Sequence, residues 1–107
     1  MHEEGAGLDI TEQVQVVDWL KAELVTAAGA VLRASLARDP ARMVEALAAL
    51  QITLLALARR WGVPLSRLEH EVALRLEREA RSGHYLESRF GDLTAIRQYL
   101  ERRAGSS

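Results

Sequence analysis

The 107-residue chain contains no cysteine, which excludes disulfides, thiolate metal sites and cysteine nucleophiles. Aromatic residues make up only 5% of it, and lysine occurs once, at Lys21, against 13 arginines. Coding bias produces such a ratio, as does a need for planar anion recognition. The formal net charge of −1 gives no long-range pull toward nucleic acid or anionic lipid. Long hydrophobic runs are missing too. The longest nearly apolar run, Ala46–Ala58, has 13 residues, whereas a membrane span needs about 18 or more. The acidic, glycine-containing start, Met1 to Gly7, lacks the basic and apolar regions of a secretory signal. A cytoplasmic protein with no membrane partner is the expectation.

What the chain does have is leucine and alanine, 17 of each. Both favour helix and impose few steric demands on it, which argues against a β-rich fold. The length suits one domain, 9–103, between flexible tails at 1–8 and 104–107. Charge is uneven along it: residues 1–45 hold four basic and eight acidic side chains, whereas residues 46–107 hold ten and seven. Halves of −4 and +3 suggest an internal or intersubunit match.

Four helices are expected. Asp9 and Glu12 have capping-box spacing. Ile10, Val14, Val17, Leu20, Leu24, Ala28 and Val31 follow at steps of three and four. This predicts an amphipathic helix to about Ala37, with Gly29 its weak interior point. Asp39-Pro40 restarts the chain as N-cap and first helical residue. In the second helix Met43, Leu47, Leu50, Leu54, Leu57 and Trp61 recur at steps of four and three, with Val44, Leu55 and Ala58 widening the stripe. A helix apolar on most of its circumference must be covered on several sides. Leu47, Leu50, Leu54, Leu57 and Trp61 are therefore the candidate oligomer interface, covered by a second copy of the chain. Gly62 ends this helix. Ser66 and Glu69 form a second capping-box pair, opening a third helix to about Arg81 with Leu68, Val72 and Leu76 inward. On its charged face Glu71 stands at pairing distance from Arg75 and Arg78. Gly83 stops it, and Asp92 caps a short last helix to about Arg103, with Leu93, Ile96 and Leu100 inward.

Catalytic constellations are sparse. No serine sits in a Gly-x-Ser-x-Gly elbow, and no glycine-rich phosphate loop is present. His2, His70 and His84 are isolated from one another, so a zinc site has no ligand set. His70 reads as a helix-surface residue and His84 as a loop residue. Arg59, Arg60 and Arg67 cluster around the Trp61-Gly62 turn, where they suit a helix C-terminus better than a nucleic-acid stripe. Magnesium needs clustered carboxylates, and Glu23 on the first helix and Glu45 on the second are the candidates. Neither has an inward-facing acidic neighbour one turn away.

The order of Trp19-Leu20-Lys21-Ala22-Glu23-Leu24, then Leu54-Leu55-Ala56-Leu57-Ala58-Arg59-Arg60-Trp61-Gly62-Val63, then Arg89-Phe90-Gly91-Asp92-Leu93 resembles the MazG-like family. These are short bacterial relatives of the all-α nucleoside triphosphate pyrophosphohydrolases. The resemblance implies an all-α, four-helix MazG-like bundle: two long antiparallel helices, a third packed helix and a short C-terminal one. In the catalytic relatives a Glu-Glu-x-x-Glu motif and a Glu-x-x-Asp motif on successive helices bind magnesium. That ion helps cleave a nucleoside triphosphate to the monophosphate and pyrophosphate. Alignment on the Ala-Gly step puts the first motif on Thr26, Ala27 and Ala30. Alignment on Leu54-Leu55 puts the second on Ala46 and Ala49. Methyl groups cannot hold a dication or orient an attacking water. Two readings follow. One is an oligomeric binding or regulatory module without catalysis or cofactor, keeping a nucleotide-sized cleft. The other is a divergent magnesium-dependent pyrophosphohydrolase using Glu23 and Glu45, with Asp18 or Glu69 assisting.

Overall fold

The computed structural model describes residues 9–105. His2, the rest of 1–8, and 106–107 lie outside the described residues. All regular elements among those described are helices: α1 (Ile10–Ala37), α2 (Pro40–Arg60), α3 (Leu65–Arg81), α4 (Tyr85–Phe90) and α5 (Asp92–Gly105). The all-α expectation holds, with five described helices in place of four. The chain divides into two compact units, Met1–Leu65 and Ser66–Ser107.

In the first unit α1 and α2 form a hairpin with a two-residue turn. The Asp9 carboxylate accepts the Glu12 N–H at 2.7 Å and caps α1. Arg38 ends α1 in the left-handed region, at φ 55°, its N–H reaching the carbonyls of Ala34 and Ser35. Glycine usually fills such a position, and a side chain there costs about 1 kcal/mol. No second residue is free to turn the chain, because Asp39 already caps α2. Its carboxylate accepts the Ala41 and Arg42 N–H groups at 3.1 and 3.3 Å. At the far end the Gln13 amide donates to the Arg60 carbonyl at 3.1 Å, satisfying one of the exposed acceptors of the α2 terminus. Gly62, at φ +79°, completes the exit from α2.

The contact between α1 and α2 is narrower than the apolar stripes predict. Leu20, Ala27 and Ala34 of α1 and Ala46 of α2 are buried, with Ala34 only 1% exposed. The three α1 residues stand seven apart, two helical turns each, and so form one seam. Val17, Leu24 and Val31 flank it half-buried, whereas Ile10, Val14 and Ala28 of the expected inward stripe are exposed. One neighbouring helix covers one seam. Alanines in that seam let the helix axes approach toward the close end of the usual 8–10 Å range.

In the second unit the expected Ser66–Glu69 capping box does not form. α3 starts at Leu65, directly after Pro64, whose fixed φ and missing N–H suit a helix entrance. Ser66 therefore lies inside the first turn, and the Glu69 carboxylate instead bonds the Arg103 guanidinium of α5. Arg75 pairs with Glu79 at 2.8 Å rather than with Glu71, and Arg81 pairs with Glu77 at 2.9 Å. Leu68 and Leu76 are half-buried and Val72 is exposed.

The segment expected as a loop after Gly83 contains α4. The His84 ring nitrogen Nδ1 accepts the Leu86 N–H at 3.1 Å and caps it. Tyr85 and Phe90 meet edge to face, centroids 6.0 Å apart. Gly91, at φ +70°, closes α4 and leads straight into α5. Asp92 is consequently the first residue of α5 and not its cap. Glu87 takes that role, accepting the Thr94 N–H at 2.9 Å and the Thr94 hydroxyl. Leu93 is buried, Leu100 half-buried and Ile96 exposed. α5 runs through Gly105, beyond the expected end at Arg103.

Two outcomes follow. Ala34→Leu overfills the seam and lowers stability by about 1–3 kcal/mol, whereas Ala37→Leu, at an exposed position, does not; urea denaturation separates them. The hydrogen bonds from the Thr94 side chain and backbone hold the Glu87 carboxyl below its ordinary value of 4.5, against a smaller opposing effect of desolvation. A depressed folded-state value means that the cap stabilises the fold above the ordinary carboxylate value and ceases to as pH falls through the folded one. Acid titration followed by circular dichroism should show wild type exceeding Glu87→Gln in stability near neutral pH, with the difference vanishing in acid.

Candidate functional site

A cavity of about 300 Å³ opens between α1 and α2. Ala30 and Ala34 of α1 and Ala46 and Ala49 of α2 supply its methyl surface, and Arg33, Arg42 and Glu45 supply its charge. The hairpin therefore brings together Ala30, Ala46 and Ala49, three of the positions where the motif alignment places metal-binding carboxylates. Ala27, a fourth, is buried in the helix seam, and Thr26 is exposed. A carboxylate at Ala27 would be buried in the helix contact, where an unpaired charge is costly.

The two candidate metal ligands separate. Glu45 lines the cavity, but Glu23 does not; it stands seven residues before Ala30, about 10 Å along the helix. Asp18 lines a different cavity of about 290 Å³ beside Gln13, Arg60 and Trp61, and it lies 3.7 Å from the Lys21 ammonium. Glu69 belongs to the second unit, where it is bonded to Arg103. Among the described residues no three His, Asp or Glu side chains converge as a metal-binding group. The residues at the α1–α2 cavity do not fit magnesium, which takes a near-octahedral shell of oxygens. They offer one carboxylate, four methyl groups and two guanidiniums.

Arg33 and Arg42 did not stand out in the sequence. Their signal is positional: Arg33 falls one turn after Gly29 and three residues after Ala30, and Arg42 one turn before Ala46. Among the described residues neither is held in an ion pair. In the second unit a cavity of about 550 Å³ opens beside the Glu69–Arg103 pair, with His70, Ser66 and Arg97 on its polar wall and Ala73 and Leu100 on its apolar one. His70 is exposed on α3, as expected of a helix-surface residue.

The candidate interface residues also have definite places. Leu47 is 49% exposed, Leu54 45% and Trp61 69%, while Leu50 and Leu57 are half-buried. Val44 and Ile52 are exposed on the same helix, and among the described residues of α2 only Ala46 is buried. By length and composition alone α2 is long and apolar enough to cross a membrane, with a mean hydropathy of 1.6 over an 18-residue window.

No curated protein and no solved structure matches the chain. The model of the MazG-like family matches residues 10–93, which takes in the α1–α2 hairpin, α3, α4 and the entrance to α5. With its all-helical architecture and a match over most of its length, the chain belongs to the MazG-like family.

Proposed function

We propose that this chain is a MazG-like helical module without nucleoside triphosphate pyrophosphohydrolase activity, working as an oligomeric binding or regulatory protein. The observation that carries this reading is the donor set of the α1–α2 cavity. Metal-dependent hydrolysis of a triphosphate requires oxygens that hold the ion and a base that orients water. Alanines at the walls supply neither, and Glu45 alone completes no coordination shell.

The oligomer rests on the uncovered surface. The described residues bury five hydrophobic side chains, three of them alanines, while Val44, Leu47, Ile52, Leu54 and Trp61 of α2 remain exposed. Leu47, Leu54 and Trp61, at steps of seven, share one face of α2. Exposed apolar surface of this kind marks an interaction site, and a second copy of the chain supplies a matching apolar helix. A bilayer is the poorer cover. Arg42 and Glu45 before the uncharged run Ala46–Ala58, and Arg59 and Arg60 after it, bound a stretch of about 20 Å, against a hydrocarbon core of about 30 Å.

Pyrophosphate release from a panel of nucleoside triphosphates, with Mg²⁺ or Mn²⁺, should stay at the uncatalysed rate. Turnover that disappears in both Glu23→Gln and Glu45→Gln would instead establish the divergent hydrolase. For the assembly, light scattering at micromolar concentration should give a dimer or larger, falling to the monomer mass in Leu47→Glu/Leu54→Glu. A wild-type monomer would refute it.

A further inference from the structure

We infer that the α1–α2 cavity is an oxyanion site, taking the phosphoryl group of a small phosphate ester on Arg33 and Arg42 without a divalent cation. This deepens the non-catalytic reading by naming the ligand chemistry, and it rests on that reading only for the absence of turnover.

Charge is the first argument. Of the three charged residues at the cavity two are arginines, in a half of the chain that carries an excess of acid. Seven residues of that half are acidic besides Glu45, yet none forms an ion pair with Arg33 or Arg42 among the described residues. Arg38, Arg59, Arg60, Arg67, Arg78, Arg89 and Arg102 also lack a carboxylate partner among the described residues, so what sets Arg33 and Arg42 apart is that both line one cavity. Guanidinium forks match the geometry of phosphate oxygens and form the stronger, charge-assisted hydrogen bonds.

Position is the second argument. The two arginines come from different helices, and the Arg38-Asp39 turn holds those helices together directly beyond them. The Arg33 guanidinium lies back along α1 near Gly29, where a Cβ would stand 3.3 Å from its nitrogen Nη1.

The third argument is the methyl surface. Ala30, Ala34, Ala46 and Ala49 give the cavity an apolar body beside its charged wall. At about 300 Å³ it lies at the small end of the range for ligand pockets. A tetrahedral anion carrying a compact apolar group uses both surfaces, and an inorganic anion uses only one.

The test is isothermal titration of the whole chain with phenyl phosphate and with inorganic phosphate, at low ionic strength in EDTA. Phenyl phosphate should bind about tenfold more tightly than inorganic phosphate, from the apolar area it covers. Arg33→Gln and Arg42→Gln should each weaken phenyl phosphate binding about tenfold or more. Glu45→Gln should strengthen it about threefold by removing a like charge, a gain that misfolding cannot imitate. Arg59→Gln, at the other end of α2, should bind as wild type does. Equal affinity in wild type and both cavity-arginine variants, no binding up to about 10 mM, or binding that appears only with added Mg²⁺ would overturn the inference. None of those results restores turnover, and pyrophosphate release from a triphosphate would overturn the non-catalytic reading while leaving the anion site standing.

Discussion

The first unit depends on one contact, the close approach of α1 to α2 through alanine side chains. Ala27, Ala34 and Ala46 are buried there, and among the described residues of that unit Leu20 is the one large side chain buried with them. Alanine contributes little transfer free energy by itself, since burial scales with the apolar area removed from water. Its value is geometric. Two helices that touch through methyl groups make dense van der Waals contact along their backbones, and they leave no room for groups that need space or solvation. The same seam that joins the hairpin thus disfavours an acidic side chain at Ala27, which is buried within it.

Close packing on one seam has a second effect. A helix of 21 residues that fully buries only one of them leaves several of its large apolar side chains on the surface. Val44, Leu47, Ile52, Leu54 and Trp61 cannot all turn toward α1, because they lie around the helix and not along one line. Met43, Leu50, Leu55 and Leu57 are half-buried, but the five exposed residues leave more large apolar surface in water than a monomeric helical domain usually does. That exposed surface is the physical ground for proposing a second copy over α2, and it places the catalytic question and the assembly question on one helix.

Much of the fold could be read from local signals. Asp9 and Asp39 cap the helices they were expected to cap, Pro40 opens α2, and Gly62 ends it, because each acts within a turn of its own position in the chain. Readings failed where a non-local partner decided the outcome. Glu69 is taken by Arg103, thirty-four residues away, so no box forms with Ser66. α5 is capped by Glu87 from α4 and not by Asp92, since Gly91 brings α4 against the start of α5. The apolar stripe of α1 is only partly covered, because periodicity gives a helix its apolar faces without saying how many neighbours will cover them. At the cavity, the alanines were legible through the family motifs. Arg33 and Arg42 were not, because single arginines on an amphipathic helix look like ordinary solvated charges until the hairpin brings them to one cleft.

The two-residue turn at Arg38-Asp39 carries a consequence for how the protein is made. Residues that pair across it are near neighbours in sequence, so closing the hairpin loses little chain entropy, and structures rich in such local contacts form in microseconds to milliseconds. The α1–α2 hairpin can be complete while later parts of the chain are still being synthesised. The proposed covering of α2 by a second copy, by contrast, would be a bimolecular encounter whose rate scales with concentration. Under that proposal abundance in the cell, more than folding speed, would set how long that apolar helix stands open to solvent and to the wrong partners.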